Sequence, residues 1–189
     1  MGPWLRLARL IDTLNERVGR TVYWLVLVTA LLSAFTALIR YALHASSNAA
    51  LELQWYLYAL IFLLAAGYTL KHDGHVRIDV LFARLTPRAQ AWIDLVGGLI
   101  MLLPMALIMV WLSWHSFALS FATREMSPDA GGLARWPIKL AIPVGFALLA
   151  LQGIAEIIKR AAFLRGKIPD PRRTGPEIDQ PAHLPGEVV

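Results

Sequence analysis

The chain contains no cysteine, which removes disulfides, thiolate metal sites and thiol nucleophiles together. It is also poor in charge: Asp, Glu, Lys and Arg make up 16% of its 189 residues, against about 25% in ordinary globular proteins. The shortage is uneven. From Leu53 to Leu70 no charge appears over about 18 residues, roughly what a helix needs to cross ~30 Å of hydrocarbon. A soluble core helix shows a polar face every third or fourth residue, and this run shows none. What fills the gaps is apolar: 57% of the residues are hydrophobic and the net charge is +5. That charge does not form one continuous basic face, so it reads as a topology signal and not as a nucleic-acid surface.

These features predict an all-α integral membrane protein with four transmembrane helices and interfacial amphipathic helices. The expected division is an interfacial N-terminal helix over 1–20, a membrane domain over 21–160, and a disordered cytoplasmic tail over 161–189. Within the domain the spans are placed at about 21–43, 53–70, 93–121 and 136–158. In the first segment Trp4, Leu7, Ile11 and Leu14 share a helical stripe, with Arg6, Arg9, Asp12, Glu16 and Arg17 elsewhere. Its interspersed charges do not resemble a cleaved signal peptide. Thr86 and Pro87 suit an N-cap and a first helical position. The third run, Leu95 to Thr123, is long enough that it must tilt, kink or protrude, and Pro104 is the expected kink.

Lys and Arg fix an expected orientation. Arg6, Arg9, Arg17 and Arg20 precede span one; Lys71, Arg77, Arg84 and Arg88 lie between spans two and three; Lys159, Arg160, Arg165, Lys167, Arg172 and Arg173 follow span four. The other two connections carry only Arg40, Arg124, Arg135 and Lys139. By the positive-inside rule both termini and the middle loop are cytoplasmic.

Ionisable groups at membrane depth usually mark function because they cost about 2.5–3.5 kcal/mol each on insertion scales, and here they are missing from mid-span. His115 has no second histidine inside a span with which to hold haem and reads as interfacial or packed. His72 and His75 make a poor metal pair. No catalytic, cofactor or metal site is expected. In span four Gly145, Leu149, Gln152 and Glu156 advance by four, three and four residues and share one face. Small and amide side chains there permit close helix approach, within this chain or against another. Glu52 reads either as a headgroup-level carboxylate or as a contact with an external partner or an adjacent subunit. A stand-alone homodimeric exporter and an intramembrane enzyme are weaker alternatives, since neither an embedded carboxylate nor a polar catalytic cluster is present.

Glu52, Trp55-Tyr56-Leu57, Ala65-Ala66-Gly67-Tyr68, Lys71 and Asp73-Gly74-His75-Val76-Arg77-Ile78-Asp79-Val80-Leu81 together resemble the small membrane subunit of tripartite ATP-independent periplasmic (TRAP) transporters, the DctQ-like family. Trp136-Pro137-Ile138-Lys139, Ile142-Pro143-Val144-Gly145-Phe146 and Leu151-Gln152-Gly153 are similar to it too. The resemblance implies a four-helix subunit in the bacterial inner membrane. It would join a large multi-span permease subunit (DctM-like), while a periplasmic solute-binding protein (DctP-like) delivers a carboxylate for uptake driven by an ion gradient. It implies large-subunit or membrane-anchoring roles for Trp55, Tyr56, Gly67, Lys71, His75, Arg77, Asp79, Trp136, Lys139, Gly145, Gln152 and Glu156. Glu52, Arg124, Glu125 and Arg135 become contacts for the binding protein. Membrane lipid is the remaining expected partner.

Overall fold

The structure, a computed structural model, describes residues 2–73 and 85–171. Helix α1 runs over Pro3–Leu43 as one unbroken element of 41 residues, roughly 60 Å at 1.5 Å per residue. Pro3 starts it without losing a needed donor. The sequence suggests a separate arm and span, but nothing between Arg17 and Tyr23 breaks a helix. Gly19 is used instead for close approach, since a Cβ there would lie 2.3 Å from the Tyr68 ring. Helix α2, Asn48–Lys71, is capped by Ser47, whose hydroxyl accepts from the Ala50 amide.

Helix α3, Pro87–Gly97, has Thr86 as its cap, accepting from the Ala89 amide at 3.3 Å, with Pro87 first in the helix. It continues through a π-helical turn, Gly98–Leu102, into α4, Leu103–Ala122. The expected irregularity at Pro104 is therefore found one turn earlier. Pro104 has no N–H and crowds the preceding turn; the backbone widens there, with the Leu103 N–H bonded to the Gly98 carbonyl. Helix α4 ends in a Schellman motif in which Arg124 takes φ 48° and the Glu125 amide bonds the Ser120 carbonyl at 3.0 Å.

Helix α5, Trp136–Leu164, carries Pro143 in its interior. It extends past residue 160 into the stretch expected as tail, because Ala161 to Leu164 continue the helix. Gly166 at φ 70° then turns the chain, with the Lys167 amide on the Ala162 carbonyl. Residues 172–189 lie outside the described residues.

Helix α5 is the centre of the bundle. It packs against α1 and α2 on one side and against α3, the π turn and α4 on the other. Among the described residues four helical stretches, Pro3–Leu43, Asn48–Lys71, Pro87–Ala122 and Trp136–Leu164, are long and apolar enough to cross a membrane. Large side chains such as Leu31, Phe35, Phe62, Ile108 and Trp111 face outward, the reverse of a water-soluble fold and the arrangement that hydrocarbon requires. Near the start of α2, Gln54 accepts from Ser33 at 3.1 Å and donates to Thr36 at 3.2 Å, tying α2 to α1.

Candidate functional site

Charge collects at the two ends of the bundle. At the end where α1 begins and α5 ends, these two helices are joined by a buried polar chain. Asn15 Nδ2 donates to Gln152 Oε1 at 3.0 Å, and Gln152 Nε2 donates to Asp12 Oδ1 at 2.7 Å and to Glu156 Oε1 at 3.2 Å. Lys159 closes the set, 3.0 Å from Asp12 and 2.6 Å from Glu156. Gln152 and Asn15 have no solvent exposure, so each bond replaces one that water cannot supply. Beside them Ala8, Ile11 and Ala155 form the apolar contact between the helices.

This answers where the span-four face points. Gln152 and Glu156 turn to α1 of the same chain. Gly145 meets α2, where an added Cβ would lie 2.8 Å from both Cβ and O of Leu63. Gly67 is likewise internal: a Cβ there would be 2.2 Å from Asn15 Oδ1 and 3.2 Å from the Leu148 carbonyl. Gly67, Gly145, Gln152 and Glu156 thus all make contacts within this chain.

Two further ion clusters occupy that end. Glu16 receives Lys71 at 2.8 Å, His72 at 2.9 Å and Arg20 at 3.0 Å. Arg160, only 4% exposed, faces Asp94 at 3.2 Å, Asp73 at 3.6 Å, Asp170 at 3.7 Å and Glu156 at 3.9 Å. Asp12, Asn15, Asp94 and Arg160 were not singled out by sequence reasoning. The one available signal was the spacing of Ala8, Ile11 and Asn15, which places small and amide groups on a single face of the arm. His75, Arg77 and Asp79 lie outside the described residues.

At the opposite end the connection 123–135 folds over α2. Glu52 is 6% exposed and both of its oxygens are engaged. Oε1 accepts from the Ser127 hydroxyl, and Oε2 accepts from the Leu133 amide at 2.7 Å. The Ser127 amide bonds the Leu133 carbonyl at 3.0 Å, and Met126 pairs with Ala134 across an antiparallel bridge. Gly132 is needed for this closure, because a Cβ would fall 2.4 Å from Ser127 Cβ and 2.9 Å from Glu52 Oε1. Tyr56 donates to the Ala134 carbonyl at 3.2 Å and Asn48 to the Ala130 carbonyl at 3.1 Å. Glu52 is thus an internal clasp for the loop.

Glu125 pairs with Lys139, and the Lys139 ammonium, followed by the Ser120 hydroxyl, holds its carboxyl below the ordinary 4.5. Its carbonyl accepts the Arg135 amide at 2.9 Å. Arg124 is exposed on the loop. Trp136 stands edge-on to Phe121 with ring centroids 5.5 Å apart, while Trp55, 71% exposed, points away from the bundle.

Among the described residues no three His, Asp or Glu side chains converge in a geometry for a metal ion. The ionisable clusters at the two ends are paired, apolar surface faces outward, and amide and hydroxyl contacts tie the helices to one another. Together these define a multi-pass helical membrane protein. The model of the DctQ component of tripartite ATP-independent periplasmic transporters matches residues 29–163. The chain belongs to that family. No curated protein and no solved structure gave a match.

Proposed function

We propose that this chain is the small permease subunit that scaffolds the large transport subunit of a TRAP system. The large subunit carries the path, an ion gradient drives uptake, and a periplasmic binding protein delivers a carboxylate solute. The observation that carries the reading is the family match over residues 29–163. The distribution of polar groups agrees with it, since a carrier needs a polar site at mid-depth, and the central stretches 56–67 of α2 and 141–151 of α5 carry no charged side chain. The chain contributes width, anchoring and docking surface to its partner.

In this reading the protein sits in the bacterial inner membrane with both termini cytoplasmic, as its Lys and Arg distribution favours. The Glu52-clasped loop then faces the periplasm. Arg124, exposed beside it, meets the binding protein, while Glu52, Glu125 and Arg135 shape the loop that presents it. Trp55 and the outward faces of α2 and α4 are the surfaces left for the large subunit and lipid. The first residues of α1, with Leu7, Leu10 and Leu14 exposed beside Arg6 and Arg17, suit the headgroup region.

The test is affinity purification of the tagged protein from its native membrane in mild detergent, with mass spectrometry of what accompanies it. A multi-span permease co-purifying near one-to-one is the expected result. Recovery of the chain alone or as a homodimer refutes the scaffold role.

A further inference from the structure

His115, which the sequence reads as interfacial or packed, stands on the outward side of α4. Ala106 and Ser120 are the buried residues of that helix and mark the face that meets the bundle. Nine residues, about two and a half turns, separate Ala106 from His115, so the two project in opposite directions. His115 is exposed, and so are Ile108, Trp111, Leu112 and Leu119 around it. It makes no hydrogen bond, ion pair or ring contact among the described residues.

The packing of the neighbouring helices gives its depth. Gly153 of α5 stands against Leu102, and Trp136 against Phe121, so His115 is level with about Ala141. Gly145 stands in turn against Leu63 of α2, and the Leu148 carbonyl against Gly67, which carries that level across to about Ala59. Glu52 and Lys71 mark the charged ends of α2, about 28 Å apart as a helix and close to the ~30 Å of hydrocarbon a span must cross. Ala59 is seven residues beyond Glu52 in that helix, so His115 lies about 10 Å below the nearer surface. It does not reach back by snorkelling. Helix α4 rises toward that surface, and helical Cα–Cβ bonds tilt toward the N-terminus, so the imidazole leans deeper. A neutral imidazole carries one N–H donor and one acceptor nitrogen, and acyl chains answer neither. Ionisable side chains inside spans almost always face a bundle interior; this one faces away from its own.

We propose that the face of α4 centred on His115 seats a membrane-spanning helix of the large transport subunit, and that this helix offers a hydroxyl or carboxyl oxygen to the imidazole N–H. The inference rests on the small-subunit reading above and adds to it the face and the contact. Ile108, Leu112, His115 and Leu119 advance by four, three and four residues, the seam along which one helix packs on another at a shallow angle. A second copy of this chain suits the face less well. Two copies share one orientation in the membrane, so a two-fold contact through this seam sets His115 against His115. A neutral pair makes one hydrogen bond and leaves one N–H and one ring nitrogen unanswered, while a charged pair repels. A different chain carrying an oxygen at that depth has no such conflict.

The test places a photoreactive benzoylphenylalanine at Leu112 or at Leu119, one turn to either side of His115, in the full-length chain in its native membrane. Irradiation at each position should yield an adduct that mass spectrometry maps to a spanning segment of the permease. A second readout addresses the imidazole itself. Wild type and His115→Phe, expressed at equal levels with different tags, compete for a limiting amount of permease. Captured through the permease, His115→Phe should be under-represented about threefold, the size of an average interhelical hydrogen bond in a membrane, whereas His115→Gln, which keeps a donor and an acceptor, should compete evenly. Adducts with lipid alone or with a second copy of this chain, formed while a permease co-purifies with wild type, overturn the proposal and leave the small-subunit reading intact. Even competition by His115→Phe, or a deficit for His115→Gln as large as that for His115→Phe, overturns it as well. Absence of any co-purifying permease instead removes the reading on which it rests.

Discussion

Gly67 and Gly97 both lie inside helices, and replacing each by alanine should move stability in opposite directions. Alanine gains about 1 kcal/mol over glycine in a helix interior from backbone entropy alone. At Gly97 no heavy atom lies within 4 Å of an added Cβ, so Gly97→Ala should realise most of that gain. At Gly67 the new methyl falls 2.2 Å from Asn15 Oδ1 and 3.2 Å from the Leu148 carbonyl. Backbone on one side leaves Asn15 as the group that must move. Moving it breaks the 3.0 Å bond to Gln152 and orphans two buried polar groups, at about 1–3 kcal/mol each. The loss exceeds the helix gain, and Gly67→Ala should be less stable than wild type by about 2 kcal/mol. Equilibrium unfolding in mixed micelles measures both variants. Asn15→Ala supplies the control: with that side chain gone, Gly67→Ala should be neutral or stabilising, a coupling that a double-mutant cycle isolates. Equal effects at Gly67 and Gly97, or a Gly67→Ala penalty that persists in the Asn15→Ala background, would refute the packing argument.

At the other end, Glu52→Ala removes the acceptor for the Leu133 amide and the Ser127 hydroxyl. Hydrogen exchange at Leu133 should accelerate on the order of tenfold while amides in mid-α5 stay unchanged; an unaltered Leu133 amide would remove Glu52 from the clasp. Lys139 depresses the Glu125 carboxyl below its ordinary 4.5, so the pair supports the loop fully above that value and loses its contribution as pH falls through the lower folded value. Loop protection measured from neutral pH down into the acid range should fall in wild type and stay flat in Glu125→Gln; parallel profiles would contradict the assignment.

How much of this was legible follows from which interactions are local. The spans were visible because hydrocarbon forbids charge over a helix length, a constraint written into consecutive residues such as Leu53 to Leu70. The alignment of Gly145, Gln152 and Glu156 was visible too, since helical spacing is local. What that face meets was not: Asn15 stands 137 residues from Gln152 in the chain, and no periodicity reports a pairing across that distance. Glu52 shows the same limit. Its position at a helix end suggested a headgroup-level carboxylate or a partner contact, whereas Ser127 and Leu133, brought back by the turn at Gly131 and Gly132, bury it. Arg160 looked like one cation among six in a basic flank, and only the approach of Asp73, Asp94 and Asp170 separates it from the rest.

The bond between Asn15 and Gln152 joins the first helix to the last, and this has a consequence for biosynthesis. A chain emerging from the ribosome places Asp12 and Asn15 at the membrane well before Gln152 and Lys159 exist. Until α5 arrives, those groups face water or lipid without Gln152 and Lys159 to answer them. The bundle therefore closes only when translation of its last span is complete. An unfinished or truncated copy carries Asp12 and Asn15 without the partners that cover them in the finished bundle.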